Sequence, residues 1–111
     1  MANRNLFKLE MLILKTLESG DYYGYQLVQD ICERSGGQIE IVEGTLYPIM
    51  YKLEDAGYVT GTKKLVKKRQ ERVYYHLEKA GKKHLESLIS DYRALTCGIE
   101  AILKDNPPND S

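Results

Sequence analysis

The sequence predicts a mainly α-helical protein with a small β-hairpin. Apolar residues recur at three- and four-residue steps in four separate stretches, which is the spacing of amphipathic helices. Between the third and fourth stretches the spacing becomes that of β-strands, in two segments rich in Val, Thr and Tyr. With 111 residues, 42% of them hydrophobic and 29% charged, the chain is sufficient for one domain with a modest core.

The first two predicted helices lie close together in sequence. Leucines and an isoleucine in helical phase predict the first helix over residues 6–17, and Ser19-Gly20 ends it. The second is predicted from about Tyr22 to Arg34, with Asp21 as its N-cap and Ser35-Gly36-Gly37 as its stop. Residues 38–41 alternate between polar and apolar and predict a very short strand.

The third predicted helix contains a proline near its start, in the stretch EGTLYPIMYKLEDAGY (residues 43–58). A proline inside a helix costs about 3 kcal/mol, but the first N–H groups of a helix have no intrahelical acceptor. If Thr45 is the N-cap, Pro48 is the third helical residue and removes no hydrogen bond. We therefore expect the helix to begin at Gly44-Thr45 and to end at Gly57.

The predicted hairpin joins strands at residues 58–62 and 72–77 through a basic loop, residues 63–71. Its expected register places Val59 and Thr62 opposite residues around Val73 and Tyr75. The fourth helix is expected over residues 79–103 and would be about 37 Å long, too long to bury its whole apolar stripe on so small a domain. Part of the stripe therefore needs another chain, through Leu88, Tyr92, Leu95, Ile99 and Ile102. Residues 105–111 are predicted to be a disordered tail.

The formal net charge of +0 conceals one basic block. Residues 63–84 contain nine basic and two acidic residues, a net charge of +7, whereas the segments on either side are acidic. An anionic partner would bind at this block, and the alternative is a solvated surface with no partner.

The order of three helices, a hairpin and a fourth helix is that of a winged helix-turn-helix with a C-terminal dimerisation helix. Residues 1–77 would form the DNA-binding domain and residues 78–104 the dimerisation helix. In this arrangement the third helix enters the major groove of DNA and the hairpin, or wing, lies beside it. Most of the basic block falls on the wing, where side chains suited to phosphate contacts are Lys63, Lys64, Lys67, Lys68 and Arg69.

Three stretches carry a family resemblance: YGYQLVQDI (residues 23–31), EGTLYPIMYKLEDAGYV (43–59) and RVYYHLEKAGKKHL (72–85). In this order and spacing they resemble the PadR family of bacterial transcriptional regulators, in its short form with one C-terminal helix. The resemblance implies a homodimeric repressor that leaves its operator when a small aromatic or drug-like effector binds. One departure is Glu78, where family members usually carry threonine, a better N-cap for the last helix. The expected walls of an effector pocket near the dimer interface are Phe7, Met11, Leu88, Tyr92 and Ile99.

Tyr47 and Tyr51 lie four residues apart and therefore share one side of the third helix. Both could be core tyrosines, because the apolar stripe is adjacent. In the functional interpretation they contact DNA together with Lys52, while Thr45 meets a phosphate at the helix N-terminus. Tyr22 and Tyr23 would make similar contacts from the start of the second helix.

Other functions have little support in the sequence. His76 and His84 have no partnered nucleophile, Cys32 and Cys97 do not have metal-ligand spacing, and no phosphate-binding glycine motif occurs. We expect no catalysis, no cofactor and no metal. No segment could span a bilayer, residues 1–5 do not lead into a signal peptide, and the expected location is cytoplasmic. The alternative to a DNA-binding regulator is a winged-helix module that binds another protein.

Overall fold

The structure is a computed structural model that describes residues 7–67 and 70–104. Its elements in chain order are α1 (Leu9–Leu17), β1 (Tyr22–Tyr23), α2 (Gly24–Arg34), α3 (Glu43–Asp55), β2 (Val59–Lys67), β3 (Gln70–Leu77) and α4 (Lys79–Leu103). The three strands form one antiparallel sheet in the order β1-β3-β2. The predicted mainly helical fold with a small hairpin is confirmed, and the described residues form a winged helix-turn-helix followed by a long helix.

The core lies where α1, α2 and α3 meet the base of the sheet and the start of α4. Its members are buried apolar side chains from every helix, from β2 and β3 and from the loop before α3: Met11, Ile13, Leu14, Leu17, Leu27, Ile31, Ile41, Leu46, Met50, Leu53, Val59, Tyr75 and Leu85. The helical members recur at three- and four-residue steps, so the stripes read from the sequence do face inward. This packing orients α3 relative to the hairpin.

The second helix begins later than predicted, because Tyr22 and Tyr23 form a strand. They pair with Tyr75 and Tyr74 of β3, so backbone hydrogen bonding to the sheet overrides the helical pattern at these two residues. Tyr23 is the N-cap, and its backbone N–H donates to Oε1 of Gln26 at 3.1 Å. The prediction that Asp21 caps α2 was wrong, since its carboxylate lies 2.8 Å from Nδ1 of His76.

The predicted short strand at residues 38–41 does not form. The segment is an irregular loop in which the Ile39 N–H donates to Oγ of Ser35 at 3.0 Å, while Ile41 is buried in the core. An alternating pattern needs a neighbouring strand to complete its hydrogen bonds, and none lies beside this loop in the described chain.

The third helix begins three residues earlier than an N-cap at Thr45 would place it. Its N-cap is Val42, and the N–H of Leu46 donates to the Val42 carbonyl at 3.1 Å to close the first turn. Pro48 therefore lies in the second turn, so the prediction that Thr45 caps the helix and that the proline removes no bond was wrong. The carbonyl left without a donor belongs to Gly44, which is exposed, and water can hydrogen-bond to it.

The third helix ends close to where the glycine predicts. Gly57 has a φ of 80°, its N–H donates to the Glu54 carbonyl at 3.0 Å, and the N–H of Tyr58 donates to the Leu53 carbonyl at 2.9 Å. These two bonds form a Schellman motif, which uses a residue in the left-handed region and so favours glycine. The motif turns the chain directly into β2.

The hairpin strands are longer than predicted. Lys63 and Lys64 belong to β2 and pair with Val73 and Arg72 of β3, so these two lysines lie along the wing and not in a loop. The predicted register was also wrong at the base, where Val59 pairs with Leu77. Lys68 and Arg69 lie outside the described residues.

The fourth helix starts at Lys79, with Glu78 as its N-cap. The Glu78 side chain does not cap the helix and instead accepts a hydrogen bond from Oγ1 of Thr60 in β2. Two turns later His84 stacks on the Tyr58 ring, with centroids 4.3 Å apart, and its Nε2 lies 3.2 Å from Oε1 of Glu10 in α1. These contacts attach the first turns of α4 to both the wing and α1.

The remaining turns of α4 extend beyond this domain. Leu88, Ile89 and Tyr92 still pack against the core, whereas Leu95 is 49% exposed and Ile102 is 80% exposed. The apolar stripe therefore continues past the surface that one chain can cover. None of the helices in the described part of the chain combines the length and hydropathy of a bilayer-spanning segment.

Candidate nucleic-acid interface

A cleft of about 530 Å³ separates α3 from the wing. It is lined by the N-terminal end of α2, one side of α3 and the facing residues of β2 and β3. Tyrosines and ionised side chains from all three elements meet there: Tyr23, Tyr25, Glu43, Tyr47, Tyr51, Glu54, Lys63, Glu71, Arg72 and Tyr75. This is the part of the molecule in which one side of α3 and the basic wing face each other.

Tyr47 is half-buried in the cleft and packs on the backbone of α2. A Cβ atom on Gly24 would lie only 2.3 Å from the Tyr47 hydroxyl oxygen, so the ring occupies the space that glycine leaves open. Burial raises the pKa of Tyr47, and the nearby Glu43 carboxylate raises it further. The phenol therefore stays protonated at neutral pH and keeps an O–H donor.

Tyr51, one turn after Tyr47, is 61% exposed, so its ring is not packed as the Tyr47 ring is. From the sequence, both tyrosines could have belonged to the core. In the structure the Tyr47 ring packs against α2, whereas the Tyr51 side chain is exposed in the cleft. Lys52 is not brought together with them. It lies on the α1 side of α3, in a small depression formed with Leu9 and Ile49.

Two wing cations are held on tyrosine rings. The guanidinium carbon of Arg72 lies 4.2 Å from the centroid of the Tyr23 ring, and Nζ of Lys64 lies 5.0 Å from that of Tyr74. The two rings pack edge to face with centroids 5.3 Å apart. Cation–π contacts of this kind contribute about 0.5–1 kcal/mol at exposed sites and restrict where the charge can lie. The tyrosine rings therefore restrict the positions of the Lys64 and Arg72 charges on the wing.

The floor of the cleft is the buried ring of Tyr75. Burial raises the pKa of Tyr75 to about 12, with the Glu54 carboxylate as the next cause. A Cβ on Gly61 would lie 2.7 Å from Oε2 of Glu54 and 2.9 Å from Cγ1 of Val73. Glycine at this position in β2 therefore lets the end of α3 approach the sheet closely.

The predicted contact residues do not all lie in the cleft. Tyr23, Tyr47, Tyr51 and Lys63 line the cleft, and Thr45 is exposed in the first turn of α3. Tyr22 lies in β1 with its hydroxyl 3.3 Å from Oγ of Ser19. Lys67 ends β2, and its side chain is not described.

Several residues of the cleft were not predicted as contact residues, among them Tyr25, Glu43 and Arg72. Tyr25 lies in the first turn of α2 and is 51% exposed. Its exposure could not be read from the sequence, where it belongs to the stretch YGYQLVQDI that carries the family resemblance. Arg72 pairs with Lys64 and lies on the same strand as the buried Tyr75. Its positive charge, within the basic block of residues 63–84, was the signal that could have identified it.

A histidine–carboxylate pair attaches β1 to β3 beside the cleft. The hydrogen bond that the Asp21 carboxylate accepts from His76 is the main cause that raises the pKa of His76 above its ordinary value of 6.5, and the negative charge of Asp21 is the next. The pKa of His76 is higher in the folded protein than in the unfolded chain. The pair therefore stabilises the fold fully at pH values below the pKa of His76 in the unfolded chain. That contribution is lost as pH rises through the folded pKa.

Asp21→Asn should therefore move the His76 pKa back toward its ordinary value, because the amide cannot supply the charge. An NMR titration of the imidazole signals measures this directly, with the His84 ring as the internal reference. An unchanged His76 pKa in the variant would show that the pair does not form in solution.

The residues expected to form a dimer interface and an effector pocket lie on α1 and α4. The Phe7 ring packs edge-on against Tyr92 with centroids 6.4 Å apart, Met11 is buried in the core, and Leu88 and Ile99 are half-buried. No group of three or more His, Cys, Asp and Glu side chains within residues 7–67 and 70–104 could hold a metal ion.

Three helices, a wing and a cleft of tyrosines and cations between them define a winged helix-turn-helix protein of the transcription-regulator class. A family model described as the transcriptional regulator PadR-like family matches residues 13–87. The chain therefore belongs to the PadR family of transcriptional regulators, which regulate through DNA binding.

Individual relatives agree with this assignment. An uncharacterized protein of Lysinibacillus sphaericus is 30% identical over 84 residues, covering 76% of this chain and 77% of the relative. A solved transcriptional regulator from Clostridium thermocellum superposes with a TM-score of 0.80 at 27% identity, over 86% of this chain and 93% of that one. A PadR family regulator from Eggerthella lenta gives a TM-score of 0.76 at 30% identity, over 88% of this chain and 83% of that one.

Proposed function

We propose that the protein is a homodimeric, ligand-responsive repressor that binds a pseudo-palindromic DNA operator through α3 and the wing. The observation that carries the proposal is the cleft in which exposed Tyr51 and half-buried Tyr47 of α3 meet two wing cations, Lys63 and Arg72, the second of which lies over the Tyr23 ring. Tyrosine hydroxyls and basic side chains are common donors to the phosphates of DNA.

In this proposal α3 selects the sequence and the wing supplies affinity. Thr45, Tyr47 and Tyr51 lie in the first three turns of α3, the part of a recognition helix that reaches base edges. Lys63, Lys64 and Arg72 lie along β2 and β3. We expect Lys67, Lys68 and Arg69, which follow in the basic stretch of the sequence, to add to the same affinity. Contacts of such cations with phosphates depend on salt and carry little sequence information.

The operator symmetry follows from the proposed dimer. The exposed stripe of α4, with Leu95 and Ile102, would pack against the same stripe of a second copy. A twofold dimer presents two α3 helices to the DNA, so the half-sites should lie about 34–36 Å apart, or a multiple of that spacing.

The proposed effector binds within each dimer and releases it from DNA. Its pocket would lie near the dimer interface, between the Phe7–Tyr92 pair, Met11 and the α4 residues Leu88 and Ile99. These aromatic and apolar side chains suit a small aromatic or drug-like molecule. To act as an inducer it must favour a dimer geometry that does not match the operator, so its binding must oppose DNA binding.

Salt dependence tests the wing contacts. Alanine at both Lys64 and Arg72 should weaken binding to operator and to random duplex alike, because the contacts are made to phosphates. The slope of log affinity against log salt should become shallower by up to about 0.9 for each lost contact.

The same measurement on Lys104→Ala, which removes an exposed charge at the far end of α4, provides the control. An equal loss in that variant would mean that total charge, and not the wing, determines affinity. An unchanged slope in the double variant would contradict phosphate contact by these two residues.

A further inference from the structure

The first residue of α3 is an acid, Glu43, at the mouth of the cleft. It is exposed, and its carboxylate forms no hydrogen bond or ion pair with any other residue in the described part of the chain. The carboxylates of Glu54 and Glu71, which also line the cleft, likewise form no such contact among the described residues, but of the three only Glu43 lies in the first turn of α3.

An unpaired carboxylate is unfavourable where the rest of the surface attracts phosphates. Its charge reaches the neighbouring phenol, since Glu43 is one cause of the raised pKa of Tyr47. Close to the DNA backbone, the same charge would repel the phosphates and lower affinity. A carboxylate that loses its water when DNA binds needs a hydrogen-bond donor from the DNA in exchange.

The major groove offers such donors only on certain bases. The exocyclic amino groups of cytosine and adenine point into it, whereas guanine and thymine present acceptors at the corresponding positions. Glutamate is the side chain that pairs with the N4 amino group of cytosine, because an ionised carboxylate is an acceptor only.

We propose that Glu43 determines specificity by accepting a hydrogen bond from the N4 amino group of one cytosine in each operator half-site. The proposal rests on the DNA-binding function of α3 described above and adds a base preference to it. Its position at the start of α3 agrees with recognition helices, whose N-terminal residues contact base edges. Phosphate repulsion then acts against binding at any site that lacks this cytosine.

A purely structural role for Glu43 predicts something different. An acid in the first turn of a helix interacts favourably with the helix dipole, so its loss would slightly lower the stability of the protein. That effect would reduce binding to all sequences equally and would leave base choice unchanged.

Selection from a library of randomised duplexes separates these roles. The full-length wild type should enrich symmetric sites with a C·G pair at one position in each half-site. Glu43→Gln should lose that preference and favour A·T there, because glutamine can form two hydrogen bonds with adenine. On duplexes that differ only at this pair, the ratio of affinities for C·G and A·T should change by about tenfold or more.

The matched control is Glu33→Gln, which removes the same charge from an exposed position in α2 outside the cleft. It should leave the selected sequence unchanged. If Glu43→Gln selects the same sites as the wild type, the base contact is disproved while the DNA-binding function stands. If the wild type enriches no sequence at all, both the base contact and the proposed operator-binding function fail.

Discussion

Leu95→Glu is expected to convert the protein into a monomer that has lost most of its operator affinity. Leu95 lies at the centre of the α4 stripe and is 49% exposed on one chain, while Ile102 and Leu103 beyond it are 80% and 67% exposed. In the proposed dimer these side chains would be buried, and a glutamate there would bring an unpaired charge into an apolar interface from each copy.

The loss of DNA affinity should exceed the loss of any single contact. Two linked binding domains gain affinity because the second binds intramolecularly, an effect worth about 10²–10⁴-fold. Sedimentation equilibrium gives the oligomeric state, and titration of a labelled operator duplex gives the affinity. On a duplex that contains a single half-site, each DNA-binding domain of the variant should bind as tightly as each domain of the wild type.

Ser90→Glu is the matched control for this substitution. Ser90 is exposed on the same helix and lies about 140° around the helix axis from Leu95, away from the stripe. It should remain dimeric and bind normally. A Leu95→Glu variant that is still a soluble dimer would show that the chains associate through another surface.

Gly81→Ala is expected to lower the free energy of unfolding by about 2–3 kcal/mol, and Gly98→Ala in the same helix is expected to raise it. A Cβ on Gly81 would lie 2.2 Å from the Tyr58 carbonyl oxygen and 2.8 Å from Cδ1 of Leu77. The carbonyl cannot easily move away, because it accepts a hydrogen bond from the Glu78 N–H at 2.9 Å. Overpacking against fixed neighbours typically costs 1–3 kcal/mol.

Gly98 provides a comparison with the same chemistry. A Cβ at position 98 would have no atom within 4 Å and would cause no clash. Gly98→Ala should therefore stabilise the protein by about 0.5–1 kcal/mol, because alanine has a higher helix propensity than glycine. Chemical denaturation at one fixed protein concentration measures both variants, since the stability of a dimer depends on concentration. Equal effects of the two substitutions would mean that α4 does not approach Tyr58 as closely as described.

The mainly helical fold and the element order could be predicted because they depend on periodicity. The stripe of α3, including Leu46, Met50 and Leu53, is visible in the sequence and is buried in the structure. The glycine that ends α3 could also be predicted, since a left-handed residue after a helix favours Gly57 over other residues.

The candidate site could be predicted only in part. The sequence indicated Tyr23, Tyr47, Tyr51 and Lys63, which do line the cleft, because their helical spacing and charge are local properties. It missed Arg72 and Glu43, whose importance comes from what lies across the cleft. The contact of Arg72 with the Tyr23 ring joins residues far apart in sequence, and no local pattern encodes it.

Local sequence alone determined that this chain forms amphipathic helices and a basic hairpin, since side-chain periodicity and charge act over a few residues. Tertiary structure decided where those elements begin and what they contact. It drew Tyr22 and Tyr23 into the sheet, moved the start of α3 ahead of Thr45, and placed Tyr47 against Gly24. In each case backbone hydrogen bonds and close packing between distant segments outweighed propensities of a few tenths of a kcal/mol to about 1 kcal/mol per residue.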